Sequence, residues 1–160
     1  MTKEETIYHF YSSLGSGDVN AMISCYHPEV VFEDPVFGEL RGDRVSNMWR
    51  MLLNNAETPP TIKVEGMQLL RGTVGCIWTA KYTYGKNKRT IHNVVESHFV
   101  FKGDLIIDHR DKFDLYIWIK QAAGMAGFLF GWTKPYHKAL RKKTNRYLDK
   151  FIKKQSVSQK

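Results

Sequence analysis

The sequence predicts an α+β fold, with helices first and a long antiparallel sheet after them. Three observations carry this. Apolar residues recur at helical spacing up to Asn54. From Thr61 the spacing changes to alternate positions over four stretches, 61–70, 74–84, 88–101 and 105–115. The connections Arg71-Gly72-Thr73, Gly85-Lys86-Asn87 and Lys102-Gly103-Asp104 are short, as antiparallel hairpins require.

Each element has its own warrant. Thr2 or Thr6 starts a helix that turns Ile7, Phe10, Tyr11 and Leu14 inward and ends at Gly15-Ser16-Gly17. Asp18 caps a short second helix carrying Met22, Ile23 and Tyr26, closed by Pro28. A short strand over 30–34 stops at Pro35 and turns through Gly38. Gly42-Asp43 opens a third helix with Val45, Met48, Trp49, Leu52 and Leu53 as its buried stripe, broken at Thr58-Pro59-Pro60. Past the four strands, 117–132 is apolar and interrupted by Gly124, Gly127 and Gly131, which argues against one regular helix. Pro135 suits the first turn of a final helix. Its stripe of Tyr136, Leu140, Thr144, Tyr147, Leu148, Phe151 and Ile152 lies opposite Lys138, Arg141, Lys142, Arg146, Lys150 and Lys153.

Composition narrows the class. At 160 residues, 42% of them hydrophobic, the chain suits one domain with one core. No apolar run reaches the ~20 residues that span a bilayer, and no signal segment opens the chain. Cys25 and Cys76 lack metal-ligand spacing and read as reduced thiols of a cytoplasmic protein. The net charge of +8 is local: residues 1–133 hold 14 Lys+Arg against 15 Asp+Glu, whereas 134–160 hold 10 against Asp149 alone. The domain therefore has no basic groove, and nucleic acid is not expected as a partner.

Two constellations can carry chemistry. On the early strand Val30, Phe32 and Asp34 share a face, so Asp34 ends an apolar row. A carboxylate there must be bonded, paired or pKa-shifted, which makes Asp34 a candidate general base. The alternative is a cap on the following turn. On the last strand His109 and Asp111 sit in register with Ile107 and Phe113. Either they face a pocket or they satisfy each other. Taking the aromatic faces as inward, Phe37, Trp49, Trp78, Tyr82, Ser97 and Phe99 line an apolar cavity with Asp34, His109 and Asp111 as its polar points. The alternative is plain core. His92, Glu96 and His98 occupy the opposite face; without a third metal ligand they suit a subunit interface better than a metal site. No phosphate loop, nucleophile elbow or Cys-x-x-Cys motif is present, and no cofactor is expected.

Leu14-Gly15-Ser16-Gly17-Asp18, Tyr26-His27-Pro28-Glu29-Val30-Val31-Phe32-Glu33-Asp34-Pro35, Gly42 before a helix, Phe99-Val100-Phe101-Lys102-Gly103-Asp104 and His109-Arg110-Asp111-Lys112-Phe113-Asp114 follow one another at a characteristic spacing. Over about residues 3–116 the chain resembles the nuclear transport factor 2-like superfamily, in particular its SnoaL-like and ketosteroid-isomerase-like members. The resemblance implies a cone-shaped NTF2-like fold: three N-terminal helices on a strongly bent, mainly antiparallel sheet, a cavity between them, and a homodimer formed through the sheet. The NTF2-like/SnoaL-like domain then occupies 1–116, the Gly-rich segment and basic amphipathic helix pack on it over 117–154, and 155–160 is a frayed tail. Asp34 matches the proton-shuttling aspartate of ketosteroid isomerases. Their oxyanion-hole tyrosine and protonated aspartate fall at Phe10 and Ser97, so that hole is incomplete. Asp111 matches one aspartate of limonene-epoxide-hydrolase-like members, whose arginine and second aspartate fall at Val95 and Ser97.

The functional expectation is a small apolar molecule bound in the cavity, with cofactor-free general-base proton transfer (isomerase-like) or hydration by Asp34 or Asp111. The catalytic set is Asp34, Asp111 and His109; Phe10, Phe37, Trp49, Trp78, Tyr82, Ser97, Phe99 and Phe113 bind the ligand. One alternative is a non-catalytic binding module. Another is docking of the basic C-terminal helix on a membrane surface or an acidic partner, less favoured than packing on the domain.

Overall fold

Thr2 opens the first helix through a reciprocal cap: its hydroxyl accepts the Glu5 N–H, and the Glu5 carboxylate accepts the Thr2 N–H. In the computed structural model, which describes residues 1–158, this helix (α1) runs Lys3–Ser16 and buries Ile7, Phe10, Tyr11 and Leu14. Gly17 ends it in the left-handed region at φ 78°. Asp18 caps α2 (Val19–Ile23) by accepting the Ala21 N–H.

Pro28 does not close α2. It lies inside β1 (Tyr26–Asp34), a longer strand than the 30–34 the sequence suggests. Lacking an N–H, Pro28 is tolerated because the ladder shifts register there, between Tyr26 and Val31. β2 (Gly38–Arg41) returns antiparallel to β1, an element that alternation over four residues is too short to signal. α3 (Asp43–Asn54) buries Val45, Met48, Trp49 and Met51; Leu52, expected inside, is exposed.

β3 (Thr61–Leu70), β4 (Thr73–Tyr84), β5 (Arg89–Lys102) and β6 (Leu105–Lys112) form the expected meander. The six strands make one curled sheet in the order β2-β1-β6-β5-β4-β3, and only the β1–β6 pairing is parallel. The outward face, where the resemblance places a subunit contact, presents Ile77, Val94 and Val100 exposed, with His98 bonded to Glu96 at 2.8 Å.

β6 stops before residue 115 because Asp114 caps a helix, accepting the Ile117 N–H. That helix, α4 (Leu115–Ala123), lies along the part of β5 that outruns β6. Gln121 completes the open edge, accepting the His92 N–H at 2.7 Å and donating to its carbonyl at 3.1 Å. Gly124, at φ 60° and ψ −129°, breaks the chain into α5 (Met125–Phe130), and α6 (Lys134–Ser158) follows. The stretch expected to fray is helical over 155–158; residues 159 and 160 lie outside the described residues.

α6 is fixed on the domain by its inner stripe. Leu148 is fully buried, Thr144 donates to the Val36 carbonyl, and Asn145 donates to that of Phe37 at 2.8 Å. Arg44 of α3 meets Asp149 at 2.7 Å. Tyr147, expected in the stripe, is half exposed, with Lys143 over its ring. Truncation by Leu148→Ala should cost about 2–5 kcal/mol of stability in urea unfolding, the range for a fully buried leucine.

Candidate active site

Side chains alternate across β4, β5 and β6, so Trp78, Ser97, Phe99, His109 and Asp111 all point toward α1 and α3. There they meet Phe10. Its ring stands edge-on to Tyr11, Tyr26, Trp49, Phe99 and His109, with centroid separations of 5.2 to 6.3 Å. The space these residues were expected to line is thus filled by aromatic rings. His109 is fully buried, and its ring lies 4.3 Å from that of Phe99.

The polar atoms in this core form one chain of hydrogen bonds. Trp49 Nε1 donates to the Tyr26 hydroxyl at 3.1 Å. His109 Nε2 faces Asp111 Oδ1, an acceptor, at 2.8 Å, which assigns the ring proton to Nε2. Nδ1 is then the acceptor, and the Tyr26 hydroxyl donates to it at 2.7 Å. From the other side Tyr11 and Trp78 donate to Ser97 Oγ at 3.0 and 2.7 Å, and Ser97 donates to the same Asp111 oxygen. Among the described residues no buried side-chain nitrogen or oxygen lacks a partner. Asp111 and His109 therefore satisfy each other. Burial drives the phenol pKa values of Tyr11 and Tyr26 well up, so both act as neutral donors. Sequence reasoning missed Tyr11 and Tyr26 as partners, reading them only as apolar-stripe residues. The available signal was that a buried tyrosine hydroxyl must find an acceptor.

Asp34 stands apart, half-buried at the end of β1. Its Oδ1 accepts the Phe37 N–H at 2.5 Å, so the turn-capping reading holds. Even so, its carboxyl is pushed up to about 7. Burial is the main cause, and the Asp111 charge adds to it; the Phe37 and Val36 N–H groups and Arg141 pull the other way. Tyr82 faces the same region. Trp118 of α4 donates to its hydroxyl at 2.8 Å, which leaves the Tyr82 proton to donate. Its pKa rises to about 12, chiefly through burial, with a contribution from the Asp34 charge.

Beside Trp118 opens a cleft of about 240 Å³, lined by Tyr84, Ile119, Ala122, Ala123, Tyr136, Leu140 and Lys143 as well. A groove of about 370 Å³ lies elsewhere, between Gly17, Arg50, Leu53 and Phe151, and neither it nor the cleft is lined by Asp34 or Asp111. The structure thus divides the expected site. Phe10, Trp49, Trp78, Ser97, Phe99, His109 and Asp111 are one packed cluster, Asp34 caps the turn after β1, and Tyr82 is bonded to Trp118 behind the cleft wall. Phe37 is buried at the Asp34 turn, and Phe113 is half-buried beyond β6.

A bent sheet closed over three helices, with an acid at the end of its first strand, defines a class of α+β domains. The chain belongs to the SnoaL-like domain family, whose model matches residues 7–109. No curated protein matches it in sequence. Among solved structures it is similar to a protein with a ketosteroid isomerase-like fold from Catenulispora acidiphila, in complex with trimethylamine (TM-score 0.66, 13% identity, 81% of this chain and 97% of that one). It is similar to an NTF2-like protein from Burkholderia pseudomallei (TM-score 0.67, 13% identity, 78% and 99%). TerC, co-crystallized with polyporic acid, is similar too (TM-score 0.61, 15% identity, 70% and 91%). At such identities the likeness is one of fold. The family model stops at His109, so α4, α5 and α6 lie outside it.

Two outcomes follow from this geometry. Ser97→Ala strands the Tyr11 and Trp78 donors and removes a donor from Asp111, and should cost roughly 1–3 kcal/mol in urea unfolding. Asp34 holds its proton more tightly folded than unfolded, so its contribution to stability is full below pH 3.8 and is lost as pH rises through about 7. Asp34→Asn keeps the acceptor for Phe37 and should therefore gain melting temperature over wild type at pH 8, with the difference shrinking toward pH 4.

Proposed function

We propose that the protein catalyses cofactor-free proton abstraction from a small apolar carbonyl compound seated against α4 and α6, with Asp34 as the base. The observation that carries this is a carboxyl with a pKa of about 7, placed where a half-buried side chain can meet a ligand. A base of that pKa is about half deprotonated at pH 7 and strong enough to take a proton from an activated carbon. Tyr82 supplies a donor for the oxygen that gains charge. The cleft sets Ile119, Ala122, Ala123 and Leu140 beside the polar groups of Tyr84, Tyr136 and Lys143, and it suits a compact ligand, since about 240 Å³ is below the usual range for drug-sized sites. Trp118, in the cleft wall, holds the Tyr82 hydroxyl, which feels the Asp34 charge; Asp34 itself lies outside the cleft lining, so the ligand must reach past that wall to meet the base. Two structural neighbours carry small organic molecules, which agrees with a ligand site in this fold.

Asp111 and His109 act in this reading as the scaffold behind the base. The Asp111 charge raises the Asp34 pKa, while its own oxygen is taken by Ser97 and His109. A second reading, a non-catalytic carrier, draws on the packed ring cluster where the family's oxyanion partners would stand, with Phe10 at its centre.

Deuterium uptake at the α-carbon of small cyclic ketones, followed by NMR in heavy water, separates the two. Catalysis should rise with pH to a plateau above about 7, disappear in Asp34→Asn, and fall about 10²-fold or more in Tyr82→Phe. Equal ligand binding by wild type and Asp34→Asn with no exchange in either would leave the carrier.

A further inference from the structure

α5 is built inside out. Gly127 within it and Gly131 just after it face the protein, and its large apolar residues face away. Gly127 and Gly131 press on α4 so closely that a Cβ at either would come within 2.5 Å of Ile119, its carbonyl oxygen in one case and its side chain in the other. The other side presents Met125, Phe128, Leu129, Phe130 and Trp132, between 52% and 72% exposed. An amphipathic helix that packs on its own domain does the reverse. A contiguous exposed apolar knob of this kind marks a contact with something else.

Two further features say what that is. The first is the backbone at the end of α5. The Phe128 carbonyl accepts from the Tyr116 hydroxyl, that of Leu129 from Trp132 Nε1, that of Phe130 from Thr133, and that of Gly131 from His137 Nε2. Carbonyls at a helix end ordinarily rely on water. Here four in succession have protein donors, as a segment leaving water requires. The second is charge. Between Asp114 and Asp149 there is no acidic residue, while Lys120, Lys134, Lys138, Arg141, Lys142, Lys143 and Arg146 all fall there. Lys120 lies over Tyr116, which holds Phe128; the Arg89 side chain packs against Gly124; Lys134 follows Trp132 by two positions. Lys120, Arg89 and Lys134 thus stand next to the apolar knob, whereas Arg141 turns to the Pro35 carbonyl and Lys143 to the cleft. No described helix is long and apolar enough to cross a membrane, and α5 has only six residues.

We propose that the α5 knob, flanked by the basic start of α6, inserts into the headgroup region of an anionic lipid bilayer and holds the domain on the membrane surface. The apolar side chains enter the interface, and the cations meet lipid phosphates and carboxylates around them. This inference is independent of turnover at Asp34.

Trp132 makes the test specific, because Trp49, Trp78 and Trp118 are all buried. The full chain is mixed with vesicles of phosphatidylcholine alone, or containing phosphatidylserine, at low and at near-molar salt. Sedimentation and tryptophan emission are then read. The expected result is co-sedimentation and a blue shift with the anionic vesicles, weakened more than tenfold by salt. Phe128→Ser with Phe130→Ser should lose both effects with an unchanged thermal melt, since both rings are exposed. Trp132→Phe should still sediment while losing the shift. No binding to anionic vesicles at low salt overturns the proposal. So does equal binding by the double variant, or a blue shift that grows with protein concentration without lipid, which would assign the knob to a second copy.

Discussion

A single carboxylate oxygen organises the interior. Asp111 is buried among aromatic rings, where an unpaired charge would be too costly to keep. Its partners come from β5 and from its own strand, and their partners come from α1, β1, β4 and α3. The relay through Ser97 and His109 therefore ties most of the domain's elements to one point. Because the donors run in one direction toward Asp111, no member can be turned or replaced without leaving another unsatisfied. Apolar packing gathers the rings, and the relay fixes which way they face.

The same relay separates the two acids. Asp111 has donors on both sides and no room for a ligand. Asp34 is capped by turn N–H groups yet feels that charge, with Arg141 of α6 also near enough to be felt. Two carboxylates in one domain thus have unlike tasks, decided by their surroundings rather than by their chemistry. The C-terminal helices contribute as much as the family domain does: Trp118 orients Tyr82, and Thr144 and Asn145 hold the turn that caps Asp34.

Much of this was legible in residue order. The change of period at Thr61 marked the sheet, Asp18 and Gly42 marked helix starts, and the register of 107–113 put His109 and Asp111 on the inner face. What could not be read was depth. Alternation says that Ser97, Phe99 and Trp78 point inward, but not whether they surround space or one another; that depended on Phe10, whose ring occupies the middle. β2 escaped because four residues hold too little pattern, and Pro28 misled because a proline can sit at a ladder irregularity as well as at a helix end. The tyrosines that complete the relay carry no periodic signal of their hydrogen bonds.

The parallel pairing of β1 with β6 joins residues as far apart as Tyr26 and Ile106, 80 positions along the chain. The meander from β3 to β6 can assemble through neighbouring hairpins, but β1 has no place in the sheet until β6 exists. Closing that loop loses chain entropy before any contact rewards it. High contact order of this kind makes β1 docking a late event, with α6 later still, since it grips the turn that β1 carries. The N-terminal half of a nascent chain must therefore wait for its last strand.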